Sequence, residues 1–438
     1  MTPTEAAVAE VMAHVTRDRL AELIAGVVDI PSPTGGEGVL AAWIADRLAA
    51  NGVEGRVQQL DECQANAVAV VPGGPGPSLL LYAPLDTFTT GDPALDVPWA
   101  SGAVRADMLP RATFHGDVVE GLAAGNPKGH AAVIMAVLEA FVAAEVAPPG
   151  EVIGGFGAGG MPSFAVPGAG ASGRVNTGHG VGATFLLERG YTPDYAVIAK
   201  PGWTVSHEEV GLVWLDVVVP GSYTYVGSRH RMPYRNAVAL AGRIAVDLEE
   251  WLEGYAERHE HATMRPQGVV AGIHGGADRL AAATPATVRL RLDVRLTTEQ
   301  SGPEVVREVR AEVDRISAAL GLEGVTVLQV AHVPATRTDP LSPVVRAATT
   351  AFEAVSGSPH EPIGQNSGAT DANILRMRGV PTARVGMPKV SKAPGGGEVD
   401  FSLGMNLAHL GDMRRLAEVL VRTVLELAPH APLVTTGR

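Results

Sequence analysis

The chain has 438 residues, 46% of them hydrophobic, with 34 basic and 47 acidic side chains and a net charge of −13. That length calls for two domains, and that charge excludes a nucleic-acid surface, which needs clustered Lys and Arg. The single cysteine, Cys63, excludes an internal disulfide and a cysteine-rich zinc site.

Apolar residues at helical spacing predict a helix over residues 5–28, ending before Pro31 in PSPTGGEG. A second amphipathic helix is expected over residues 38–51, followed by two strands, NAVAVVPG and SLLLYAPL, separated by the turn GGPGP. The glycine-rich stretch GLAAGNPKGHAA leads into a helix over residues 131–144, which stops before Pro148 and Pro149, and the strand EVIGGFGAG follows. Strands alternating with helices predict an α/β fold, a mostly parallel sheet covered on both faces. Residues 157–180 form a Gly-, Ala- and Pro-rich loop of a length that goes with function or disorder. From VGLVWLDVVVPG the pattern changes to a strand, a helix over 236–258, strands GVVAGIHGG and ATVRLRLDVRL, a helix over 303–320 and the strand VTVLQV. This reads as an inserted α+β domain with an antiparallel sheet over residues 206–331, the first domain holding 1–205 and 332–438. No apolar run is long enough for a bilayer and no basic-then-apolar leader is present, so a cytoplasmic protein without membrane partners is expected.

Two stretches carry the chemistry. LLLYAPLDTF (79–88) is an apolar strand ending in Pro-x-Asp, and GLAAGNPKGHAA (121–132) is a glycine-rich turn opening a helix. They resemble the active-site edge of the zinc aminoacylase family, which includes acetylornithine deacetylase, succinyl-diaminopimelate desuccinylase and carboxypeptidase G. That family writes the motifs as His-x-Asp and Gly-x-Gly-x-x-Asp-x-Lys-Gly. The resemblance covers nearly the full length. In the inserted domain it rests on Gly211, Trp214, Gly221, Asn236, Gly275 with Gly276, and Asp293-x-Arg295. It implies a zinc-aminopeptidase-like catalytic domain interrupted by a lid domain, with a homodimer formed through the lid.

The resemblance also implies two zinc ions, five protein ligands and a glutamate that activates the bridging water. The matching positions here carry other residues. Pro84 stands at the first ligand, Asn126 at the bridging aspartate, Gly159 and Gly160 at a Glu-Glu pair, and Lys200 before the proline of IAKPG. The last ligand, a histidine, falls in FSLGMN, which offers Phe401, Ser402 or Leu403. Zinc takes nitrogen, sulfur or carboxylate donors at about 2 Å, so no metal and no cofactor is expected. Asp86, Lys128 and Gly129 persist.

Four residues are candidates for catalysis. Lys200 with Asp86 would put an ammonium where a cation belonged, either as a structural pair or as an amine of mobile pKa suited to general-base or nucleophile work. His130 is either a base near neutral pH or a solvent-facing residue at a helix start. Tyr225 stands where the resemblance implies a histidine reaching the neighbouring subunit's site; its phenol polarises a carbonyl or simply lies on a strand surface. NSGATDA (366–372) matches a Gly-Gly-Gly-Thr-Asp-Ala loop that lines a carboxylate pocket in the family, so Gly368, Thr370 and Asp371 are candidate substrate contacts, or parts of a turn. Asn126, Lys128 and Asn236 complete that substrate-binding set. His115, Asp117, His179 and His207 offer a relocated zinc site only without the His-x-His or i, i+4 spacing that would make it specific.

Three functions follow as expectations. The first is a metal-independent enzyme acting on an amide or related bond of a small amino-acid-like or acylated substrate, by ligase, transferase, cyclase or lyase chemistry. The second is a catalytically dead binder of such a ligand or of a partner. The third is a conventional zinc deacylase whose ligands lie elsewhere in the alignment.

Overall fold

The computed structural model describes residues 3–427. The expected first helix is two, α1 (Pro3–His14) and α2 (Arg17–Val28). Thr16 makes the break: its side chain accepts the Arg19 amide at 3.2 Å and caps α2. Both halves keep their apolar faces inward, so one continuous period spans two helices. The loop 31–38 leads to α3 (Gly38–Ala50), then β1 (Glu54–Gln59), β2 (Ala65–Val71) and β3 (Gly76–Pro84). Next come α4 (Gly129–Ala143), β4 (Gly150–Gly157), α5 (Val181–Glu188) and β5 (Tyr195–Ala199). Helix α4 is apolar nearly all round and buried nearly all round, as a helix between sheet and outer helices must be.

The pattern then changes to β6 (Gly211–Pro220), α6 (Ala237–Glu253), β7 (Gly268–His274), β8 (Thr287–Leu296), α7 (Gly302–Ala319) and β9 (Thr326–Val333). These strands form an antiparallel sheet in the order β7-β8-β6-β9. Along β8 the buried Val288, Leu290, Leu292, Val294 and Leu296 alternate with Arg289, Arg291, Asp293 and Arg295, so one face packs under α6 and α7 and the other does not. The helix expected to start at Asn236 starts one residue later, because Asn236 is its cap: its side-chain oxygen accepts the Val238 amide at 3.0 Å.

The chain returns through α8 (Pro343–Ser356), α9 (Ala372–Met377), β10 (Thr382–Val385) and α10 (Leu410–Glu426). The central sheet runs β1-β2-β4-β3-β5-β10, with β4, β3, β5 and β10 mutually parallel and β1 and β2 antiparallel. It is an α/β fold with a mainly parallel central sheet. Two compact units result: Met1–His207 with Thr338–Pro362 and Thr370–Arg438, and Glu208–Arg337 with Ile363–Ala369. The last short segment, left in the first domain by the sequence, belongs to the second unit. Among the described residues, no helix is long and apolar enough to cross a membrane.

Candidate functional site

Parallel strands bring their carboxyl ends to one edge, where α/β proteins place ligands. Asp86 lies two residues beyond β3, Gly159 to Met161 follow β4, Lys200 follows β5 directly, and Gly386 and Met387 follow β10. Asp371 caps α9. Asp86, Lys200, Thr370 and Asp371 therefore share the first unit.

Asp86 is fully buried and well supplied with donors. Thr34 Oγ1 donates to Oδ2 at 2.7 Å, the Gly160 amide to Oδ1 at 2.8 Å, and the Met161 amide to both oxygens at 3.1 Å. Burial pushes its carboxyl pKa up; the Thr34 hydrogen bond and then the Lys200 charge oppose that push. Lys200 is itself buried, with Nζ 3.8 Å from Met161 Sδ, and its charge reaches His130 as well as Asp86. Lys200 is near enough to Asp86 for its charge to act on the carboxyl group.

Sequence reasoning missed a second acid. Glu37 lies wholly buried beside Asp86; burial first, and the Asp86 charge next, raise its pKa to about 8. At pH 7 it is a neutral carboxylic acid. Its Oε1 accepts the Gly159 amide at 2.8 Å, and Gln64 Nε2 donates to both of its oxygens. Three consecutive amides, 159 to 161, thus serve two carboxyl groups. An acid just before an apolar helix reads as an N-terminal charge, and nothing in the sequence marks it as turned inward. Tyr82, also missed, is buried on β3; burial and then the Asp371 carboxylate push its phenol up.

Two glycines are required by this geometry. Gly159 holds a positive φ of 58°, and a Cβ there would strike Thr177 O. A Cβ on Gly160 would overlap Pro84 and Asp371 Oδ2. The carboxylate side chains expected at these positions by resemblance have no room.

Other candidates are placed differently from expectation. Lys128 does not face a cleft. It is fully buried, and its Nζ donates to Ile30 O at 2.6 Å and Val28 O at 3.5 Å, closing the carbonyl end of α2; burial lowers its pKa to about 7. His130 neither faces solvent nor keeps a free lone pair. It is buried, its Nε2 accepts the Met387 amide at 3.2 Å, and burial, then the Lys200 charge, lowers its pKa to about 3. Such an imidazole stays neutral and is a poor base at pH 7. Asn126 Nδ2 donates to Met405 Sδ at 3.4 Å, while its Oδ1 is buried with no hydrogen-bond partner. Thr370 Oγ1 accepts the Ala372 amide at 3.2 Å. Tyr225, Asn236 and Gly368 lie in the second unit, Tyr225 exposed and Gly368 in the Ile363–Ala369 segment. His115 pairs with Glu120, and Asp117 with Arg17. Among the described residues, no group of three or more His, Cys, Asp or Glu is placed to hold a metal ion.

No family model matches the chain. Solved structures do. The dipeptidase Dug1p from Saccharomyces cerevisiae aligns at TM-score 0.72 and 11% identity, over 96% of this chain and 98% of that one. Human carnosine dipeptidase 1 aligns at 0.68 and 15%, over 98% and 99%. An M20 family metallo-carboxypeptidase, Sso-CP2 from Sulfolobus solfataricus, aligns at 0.64 and 14%, over 94% and 99%. The fold is that of the M20 metallopeptidases. At such identity the likeness is one of fold, and function rests on the site. In this M20-like fold, the edge that carries Asp86 carries Lys200, Pro84 and two glycines.

Proposed function

We propose that the chain is a metal-independent relative of these peptidases, acting on an amide or related bond of a small amino-acid-derived or acylated molecule. The neighbours of the fold are dipeptidases and a carboxypeptidase, which supports amide chemistry. The observation that carries the metal-independent reading is Lys200 beside Asp86: a fixed ammonium supplies the positive charge at this edge. Two zinc ions do not fit the donor set. Proline and glycine offer no donor side chain, the ammonium repels a cation, and Asp86 already accepts from Thr34, Gly160 and Met161. Without a metal-activated hydroxide, hydrolysis is the reaction this edge is least equipped for. Transfer, cyclisation or elimination rests on proton movement and charge stabilisation, and ligation needs in addition an activated acyl donor whose leaving group departs as the new bond forms. Lys200 is the group for both, Asp86 orients it, and Thr370 with Asp371 seats the substrate's polar end. Tyr225 and a homodimer through the second unit belong to the same proposal, as does a cytoplasmic location.

A second reading has its own support. Asp86 and Lys128 are buried and hydrogen-bonded within the fold, and buried His130 accepts the Met387 amide, as in a site retained for stability by a non-catalytic ligand binder. Turnover separates the two. Chelator-treated protein should convert an amino-acid amide or acylated amino acid, and Lys200→Met should not, while still binding it. Binding without conversion in the unmodified protein would favour the binder.

A further inference from the structure

Glu37 occupies the cap position of α3, yet its side chain makes no cap bond. It turns into the core instead. There its Oε1 accepts the Gly159 amide at 2.8 Å, and Gln64 Nε2, held against both Glu37 oxygens at 3.3 and 3.0 Å, also donates to Thr177 O at 2.8 Å. Gly159 and Thr177 stand near the two ends of the long 157–180 loop. Between those ends the main chain closes on itself: the Gly180 amide donates to Gly159 O at 2.8 Å and the His179 amide to Met161 O at 3.0 Å. The middle of the loop is held from the same place. Thr34, three residues before Glu37, accepts the Val166 amide at 2.8 Å through its carbonyl and donates to Asp86 through its hydroxyl.

We propose that Glu37 is a positioning residue: with Gln64 and Thr34 it clasps the 157–180 loop and so fixes the Gly160 and Met161 amides on Asp86. What the clasp serves rests on the reading of the Asp86 edge given above. The clasp itself is measured without substrate, so either can fail alone.

The chemistry favours this assignment over a chance contact. A buried polar group without partners is costly, and here one carboxyl group accepts the buried Gly159 amide and the Gln64 Nε2 group that ties it to Thr177 O. Burial, and then neighbouring Asp86, keep Glu37 protonated. Gln64 and the Gly159 amide are the groups that would welcome the anion. With a folded pKa of about 8 against an ordinary 4.5, Glu37 makes the clasp weaken as pH rises from about 4.5 to 8, and the loop should loosen over that range.

Hydrogen exchange of the full-length protein tests this. Glu37→Ala should speed exchange of the Gly159, Met161 and Val166 amides by about tenfold or more, the scale of one lost buried hydrogen bond. Amides of β3 and α4 should not change. Glu37→Gln, which keeps an acceptor for Gly159, should restore protection and remove its decline between about pH 4.5 and 8. Gln64→Ala, which removes the link from Glu37 to Thr177 but leaves the Glu37 contact with the Gly159 amide, serves if Glu37→Ala does not fold, and should loosen the far end of the loop. Unchanged exchange in the alanine variants, or a glutamine variant as loose as the alanine one, overturns the proposal.

Discussion

The Asp86 carboxylate and the Gly160 amide meet at 2.8 Å, while Pro84 and Asp371 Oδ2 leave no space for a side chain at position 160. A backbone pressed this closely against Pro84 and Asp371 requires glycine. Gly160→Ala should therefore cost about 1–3 kcal/mol of unfolding free energy, the range for forcing atoms into a packed site. Urea denaturation measures it, and the glutamate that the resemblance implies at this position should be harsher still.

Lys200→Met removes the cation that opposes the upward push of burial on Asp86. The Asp86 pKa then climbs further above its unfolded value. A carboxyl group that holds its proton more tightly folded than unfolded makes stability fall as pH rises. The variant should be less stable than the parent by about 3–5 kcal/mol at pH 8, with the gap shrinking towards pH 5. Denaturation curves at the two pH values check the sign.

Lys128 titrates the other way. Its folded pKa of about 7 lies below the ordinary 10.5, so between those values the unfolded chain binds the additional proton. Its contribution to stability therefore grows as pH rises from 7 towards 10. Lys128→Met should abolish that slope and, by leaving Ile30 O without its donor, cost about 1–3 kcal/mol at neutral pH.

His130 supplies the acid limb. Held neutral with a pKa of about 3 against an ordinary 6.5, it contributes stability that is complete above 6.5 and lost as pH falls towards 3. His130→Gln should flatten acid unfolding in that window while leaving turnover, if present, within about tenfold of the parent, since an imidazole of that pKa does little general-base work at pH 7.

The elements legible in the sequence were those whose pattern is set by burial. The run Leu79 to Ala83 reads as a central strand because both its faces are covered, and β8 reads as half-covered because apolar and charged residues alternate. The break at Thr16 was not legible, since α1 and α2 present the same face to the same core. The site was legible where motif residues keep their order, as with Asp86 and Lys200. It was not legible where a side chain serves a distant main chain. Lys128 answers the carbonyls of α2, about a hundred positions earlier, and Glu37 answers Gly159, 122 positions later. Local pattern holds no trace of either partner.

Zinc titration of the chelator-treated protein, followed by elemental analysis, tests the central claim most directly. With the Lys200 ammonium as the fixed positive charge beside Asp86, the protein should retain well under one zinc ion per chain, and Asp86→Asn should change nothing in that content. About two tightly held ions per chain, lost in Asp86→Asn, would contradict the account and restore a metal-dependent hydrolase.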